Sequence, residues 1–363
     1  MVKTVCEAAE TAPRLELLGP LIRELRHRMA DKKSTVRAVA RLELCTLYRK
    51  HVATCLTGNP LDEVEVPADL EWVPKAVLQI FGSEFRRDFD SRNELEAHLA
   101  TKLLPAESAI RLQALCVMHR SLEPQQQVAF KCLLRLKRSS QRQVTRWVEL
   151  HRQIKENKDK KADTVVKKAK EELQALVVDM CKDFPESARA QEIWEQLGQC
   201  KDQHVARCLL LLASPRSSYN ELTTAQDELR RRMSTRLSAP QLLTLQTIAS
   251  RPAMSLLWRD GADILLSRVA QDVQFGVGDF THGHPILALM HDFVAIFPEV
   301  VSQAGGALAL SQALTNAQAG GAPQLPVFRQ LLRIVHVVGP QLEEVRASRQ
   351  KRYVYPSLHR ACM

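Results

Sequence analysis

A chain of 363 residues that is 45% hydrophobic and 25% charged carries enough apolar side chains for a large core, which excludes a disordered or collagen-like protein. Fifty-one Lys and Arg against 41 Asp and Glu leave a formal charge of +10 and a pI near 9.2, which favours anionic partners such as DNA, RNA, acidic peptides or inositol phosphates without selecting among them. No stretch reaches the roughly 18 apolar residues of a membrane helix, and the first residues carry no apolar run behind a basic head, so the expectation is an intracellular protein without membrane contact.

Helical periodicity starts near the N-terminus. Leu15, Leu18, Ile22, Leu25 and Met29 recur at spacings of three and four, the polar turn from Asp31 to Ser34 follows, and Val36, Val39, Ala40, Leu44 and Leu47 make a second stripe. A turn that short predicts two antiparallel helices. The acidic, proline-bearing TGNPLDEVEVPADL (57–70) reads as a loop. Ser91 followed by Glu94 reads as a capping box, and Pro105, Pro124, Pro240 and Pro323 stand where first helical residues belong. The segment KENKDKKADTVVKKAKEEL (155–173) reads as a highly charged helix or extended hairpin with a solvated face. Further on, VGDFTHGHP (277–285) and the glycine-rich AGGALALSQALTNAQAGGAP (304–323) predict loosened packing.

Alternating, β-branched runs are almost absent, and the boundaries add up to roughly 16 to 18 helices of ordinary length. The expected fold is all-α, a HEAT-type α-α superhelix (solenoid) with an imperfect period of about 40 residues, because a lone helical hairpin cannot bury both its faces. The expected organisation is a repeat array over 1–275, less regular helical repeats over 276–345, and a basic tail over 346–363. Trp72, Trp147, Trp194 and Trp258 read as packing anchors between repeats.

The segment LRHRMADKKSTVRAVARLELCTLYRKHV (25–52) has the layout of a HEAT repeat, with Asp31, Val36, Arg37, Ala40, Leu44 and Leu47 in the characteristic places. In such repeats the Asp and Arg usually form a polar ladder between stacked units, a structural role. Downstream, an irregular series of features follows in order: Tyr48, Arg49 and Lys50; a helix through Trp72, Val73, Pro74, Lys75, Ala76, Val77 and Leu78; Leu95, Glu96, Leu99, Leu103, Leu104 and Pro105; Arg111, Leu112 and Leu115; and Leu122, Glu123, Ala129, Phe130, Leu133 and Leu134. This order resembles the middle of the precocious-dissociation-of-sisters family of cohesin regulators. The resemblance is clearest over 25–155, continues through 163–270, and becomes generic HEAT character beyond 275. Members of that family are usually several times longer, so the chain corresponds to a central piece or a much reduced member. The resemblance implies a nuclear, chromatin-associated scaffold that binds the kleisin subunit of cohesin and acts with releasing or protecting factors on retention of the ring.

The best candidate surface lies inside the resembling region. Six basic residues and no acidic one stand between Ala129 and Arg146, and five of them, Lys131, Arg135, Arg138, Arg142 and Arg146, follow at steps of four, three, four and four. On a continuous helix they form one stripe, self-repelling by a few tenths of a kcal/mol per pair unless something anionic offsets it. An acidic kleisin segment, DNA or a polyphosphate fits that description, and so does an ordinary basic face paired with acids on the next helix. Ser139 and Ser140 could break the helix and disperse the stripe. A second basic cluster, with five Lys or Arg between 346 and 363, reads either as a nucleic-acid-touching tail or as a solubilising end, and Arg230, Arg231 and Arg232 read as surface.

Signals for catalysis are weak: there is no GxxxxGK[ST], GxSxG or HExxH. Nine cysteines, an odd number with no CxxC pair, read as reduced thiols, with Cys200 and Cys208 in the core. His282 and His284 flank one glycine without further ligands and read as loop residues, so no cofactor or metal is expected. Besides the cohesin regulator, a generic HEAT adaptor in transport or RNA processing and a charge-driven DNA-binding protein stay open.

Overall fold

Every regular element among the described residues is helical. The computed structural model describes residues 2–11, 19–56, 66–84, 88–159, 163–200, 202–301 and 304–340, and among them there are 16 α-helices and no strand. In chain order these are α1 (Val2–Thr11), α2 (Gly19–Arg28), α3 (Ser34–Leu56), α4 (Ala68–Glu84), α5 (Phe89–Thr101), α6 (Ser108–Ser121), α7 (Pro124–Asp159) and α8 (Asp163–Cys181). They continue with α9 (Ser187–Gln199), α10 (Gln203–Ala213), α11 (Tyr219–Met233), α12 (Ala239–Ser250), α13 (Arg259–Phe275), α14 (Pro285–Val294), α15 (Ala304–Ala319) and α16 (325–340). This is the all-α HEAT-type class expected. The chain divides into two compact units, Met1–Leu256 and Leu257–Met363.

In the first unit the α2–α3 hairpin forms around the turn the sequence marks. Ile22, Leu25, Met29, Ala40, Leu44 and Leu47 are buried, whereas Val39 is exposed and Leu15 and Leu18 lie outside the described residues. Asp31 and Arg37 do not bridge to a second Asp–Arg pair; they close their own turn. Arg37 Nη1 donates to the carbonyls of Asp31 at 2.9 Å and Lys32 at 3.1 Å, while the Asp31 carboxylate accepts from the Lys33 N–H and Arg28. The link onward is electrostatic. Burial pushes the Asp88 carboxyl up, but hydrogen bonds from Ser91 and the charge of Arg37 outweigh it and hold it below its ordinary range.

Asp88, and not Ser91, caps α5. Its carboxylate takes both the N–H and the hydroxyl of Ser91, so the hydroxyl expected to cap is itself a donor. Of the four prolines, Pro124 opens α7 and Pro240 follows the Ser238 capping box of α12. Pro105 precedes α6 and stays outside it, and Pro323 lies in the 3-10 turn Ala322–Gln324 before α16. Gly82 lets α4 lie close to α7, where a Cβ would come within 3.1 Å of the Ala129 methyl.

In the second unit, the glycine-rich stretch does not loosen the packing. Most of it is α15, which packs along α13, with Asn316 Nδ2 donating to the Ala270 carbonyl at 2.8 Å. Gly306 permits the approach, since a Cβ there would come within 2.8 Å of the Asp263 carboxylate on α13. The 277–285 segment is a turn in which Gly276 caps α13 in the left-handed region, and Gly278 and Gly283 also take positive φ.

Candidate partner-binding surface on the long central helix

Helix α7 runs unbroken through Ser139 and Ser140 for 36 residues. The five stripe residues therefore share one face, over about 22 Å at 1.5 Å per residue. Arg135 and Arg142 are exposed and make no ion pair among the described residues; Lys131, Arg138 and Arg146 are half-buried. At the C-terminal end the stripe is already neutralised, because Arg146 holds Glu172 of α8 at 2.6 Å and Glu149 at 3.6 Å. The Glu172 hydrogen bond raises the Arg146 guanidinium above its ordinary range. Exposed Val128 lies one turn before Lys131 and adds an apolar end to the face.

The sixth basic residue of the run does something different. Lys137 stands two positions after Arg135, about 200° round the helix, and is fully buried. Its Nζ donates to the carbonyls of Ser250 at 3.1 Å, Arg251 at 3.3 Å and Ala253 at 3.2 Å, satisfying the C-terminal end of α12. Gln141 adds a bond to the Pro252 carbonyl at 2.9 Å. Burial pushes the Lys137 ammonium down to about 8, with the Arg251 and Arg111 charges acting the same way and Glu96 opposing.

Around this point lies a buried polar network that no local sequence pattern marks. Arg251 pairs with Glu96 at 3.1 Å, bonds Asn93, and stacks its guanidinium 4.2 Å over Phe184. Arg92 pairs with Asp183 at 3.4 Å. Arg111 reaches the carbonyls of Ala100, Pro105 and Ser255, so the arginine of the resembling segment ties three chain segments together. These contacts fix the inner side of α7 while Gln143–Asp179 and Arg146–Glu172 dock α8 antiparallel beside it. The outer side, with Arg135 and Arg142, is left open.

The remaining expectations sort by burial. Trp147 and Trp194 are buried with ring centroids 5.0 Å apart and Trp258 is buried, but Trp72 is half-exposed under Arg26. Arg231 and Arg232 pair with Glu228, and Arg232 also with Asp202. Cys208 is buried and Cys200 half-buried. His282 is exposed, whereas His284 caps α14 and shares a buried contact with Asp272 at 3.2 Å, so the two face different surroundings. Among the described residues no group of three or more His, Cys, Asp or Glu could hold a metal, and no helix is long and apolar enough to cross a membrane. The basic cluster of 346–363 lies outside the described residues, as does most of the 57–70 loop.

Comparison with solved structures finds a chain described as "Structure of the Pds5-Scc1 complex and implications for cohesin function", similar with a TM-score of 0.59 at 13% identity. The likeness covers 83% of this chain and 46% of that one, so this chain spans about half the length of the solved relative. No curated protein matches. The family described as "Sister chromatid cohesion protein PDS5 protein" matches over residues 1–363, and the chain therefore belongs to the PDS5 family of sister chromatid cohesion proteins.

Proposed function

We propose that the chain is a non-catalytic, cohesin-associated scaffold in the nucleus that binds an acidic kleisin segment and helps regulate retention or release of cohesin on chromatin during sister chromatid cohesion. Family membership over the whole chain carries the reading, and the similar solved chain is described as part of a complex with Scc1. Releasing or protecting factors are the further partners this role requires.

The binding surface in this reading is the outer face of α7, Lys131, Arg135, Arg138, Arg142 and Arg146. An extended segment rises about 3.3 Å per residue, so about seven residues span the stripe's 22 Å, with an acid needed at about every second position. Arg135 and Arg142 supply cations that no carboxylate of the described residues has taken. The stripe's charge would also attract DNA or a polyphosphate, and salt separates the two. Contacts with a duplex backbone weaken by orders of magnitude between about 50 and 200 mM salt, whereas a short acidic segment, which carries no condensed counterion atmosphere to release, loses less.

The test is a titration of labelled kleisin segments and of a short DNA duplex at those two salt concentrations. Saturable kleisin binding that survives the higher salt is expected. Binding of the duplex alone, collapsing with salt, would replace the kleisin reading by charge-driven DNA binding.

A further inference from the structure

Away from α7, the C-terminal end of α5 and the facing sides of α11 and α12 enclose a groove of about 470 Å³, within the 300 to 1,000 Å³ usual for ligand sites. Its floor is apolar, built from buried Leu229 and Leu245, and Leu243 stands at its edge 68% exposed. One exposed leucine is unremarkable by itself; the polar groups around this one give it meaning.

Lys102 on the α5 side and Arg230 on α11 are both exposed, and neither has an ion-pair partner among the described residues. Neighbouring cations differ: Arg231 and Arg232 are held by Glu228. Arg49 brings a third guanidinium next to the rim through its bond to the Thr101 carbonyl at 3.3 Å. Asp227, one turn before Arg230, is the single acid in the lining, so the groove keeps a positive balance.

The walls also carry groups suited to a peptide backbone. The carboxamides of Gln226 on α11 and Gln246 on α12 make no hydrogen bond among the described residues, and each offers both donor and acceptor. The hydroxyls of Thr101, Thr247 and Ser250 donate back to carbonyls of their own helices, at 2.8 to 3.4 Å, which leaves their oxygens able to accept.

We propose that this groove is a second docking site, separate from the α7 face, for a short linear peptide segment with one bulky aliphatic side chain flanked by acidic residues. The aliphatic side chain lies on Leu243, which the buried Leu229 and Leu245 back, the acids meet Lys102 and Arg230, and the two carboxamides bind the backbone. Two unpaired cations from separate segments, in a lining that also presents an exposed leucine, fit an acidic and apolar sequence and disfavour a basic one.

The probe for the test is a fluorescein-labelled peptide of Glu and Gly with one central Leu, followed by polarisation with the full chain. Beside it run the same peptide with Ser in place of Leu, the Leu243→Ser variant and the Lys102→Glu/Arg230→Glu variant. All three substituted positions are exposed, and circular dichroism checks that the variants keep their helices. An Arg135→Glu/Arg142→Glu variant reports the competing basic face. The expected result is binding that weakens about tenfold, or 1.4 kcal/mol, with the Ser peptide and with both groove variants, and that the α7 variant keeps. No binding by the wild-type chain, equal binding by the groove variants, or loss confined to the α7 variant would each overturn the proposal. The outcome does not depend on any kleisin, so it stands or falls apart from the function proposed above.

Discussion

Replacing Lys137 by Met should destabilise the first unit by an amount that grows with pH. The folded ammonium has its pKa depressed from 10.5 to about 8, chiefly by burial, so the folded chain releases this proton about 2.5 pH units before the unfolded chain does. Between those values the unfolded chain binds more protons, and raising the pH through that window favours the folded state. At about 1.4 kcal/mol per pH unit the wild type gains about 3 kcal/mol across the window. The Met variant has no such group. It also leaves the carbonyls of Ser250, Arg251 and Ala253 without the amine that binds them, at about 1 to 3 kcal/mol for each that finds no other donor. Near pH 7 this loss is partly offset because the variant no longer buries an ammonium. Urea unfolding followed by tryptophan fluorescence reads chiefly the first unit, which holds three of the four tryptophans, Trp72, Trp147 and Trp194. The stability gap between wild type and variant should widen by about 2 to 3 kcal/mol from near pH 7 to near pH 10. A gap that stays constant would refute the assignment of Lys137 as a buried, carbonyl-bound amine with a depressed pKa.

Three further substitutions probe the packing. Arg251→Met strands Glu96, which is 3% exposed, and should cost about 3 to 5 kcal/mol in denaturant unfolding; a neutral result would mean that the Glu96–Arg251 pair is not formed. Asp263 has its pKa raised to about 6 by burial, reinforced by Asp260 and opposed by Arg259, so above that pH the folded chain carries an ionised carboxylate at a cost to its stability. Asp263→Asn should therefore stabilise the second unit near pH 7, by about 1 kcal/mol after allowance for solvent screening, and the gain should vanish below about pH 3, where both states are protonated. Gly306→Ala drives a methyl against the Val301 carbonyl and should cost about 1 to 3 kcal/mol of stability by thermal melting.

Helix spacing and caps made much of the fold legible, because they are local. The α2–α3 hairpin is written in its spacing of three and four, and Pro124 and Pro240 fall in the first turns of α7 and α12 as their positions predict. Ser91 misled because two capping patterns overlap within four residues, and Asp88, with two acceptor oxygens, takes the cap. The glycines of 304–323 misled because Gly signals both a break and a close approach, and only the partner, here Asp263 and Val301, distinguishes them. The stripe on α7 could be read from its steps, and so could the absence of Lys137 from it. What Lys137 binds could not, since its carbonyl partners lie more than 110 positions away. The groove between α5, α11 and α12 is likewise assembled from segments with no local relation.

The claim that the outer face of α7 receives the kleisin is tested most directly by titrating the chain and its Arg135→Glu/Arg142→Glu variant with one kleisin segment at fixed salt. Both arginines are exposed, so the variant keeps the fold while the charge of the face is reversed at two positions. The account predicts saturable binding by the wild type and at least about tenfold weaker binding by the variant. Equal affinity for the two chains would contradict it and move the site elsewhere on the molecule.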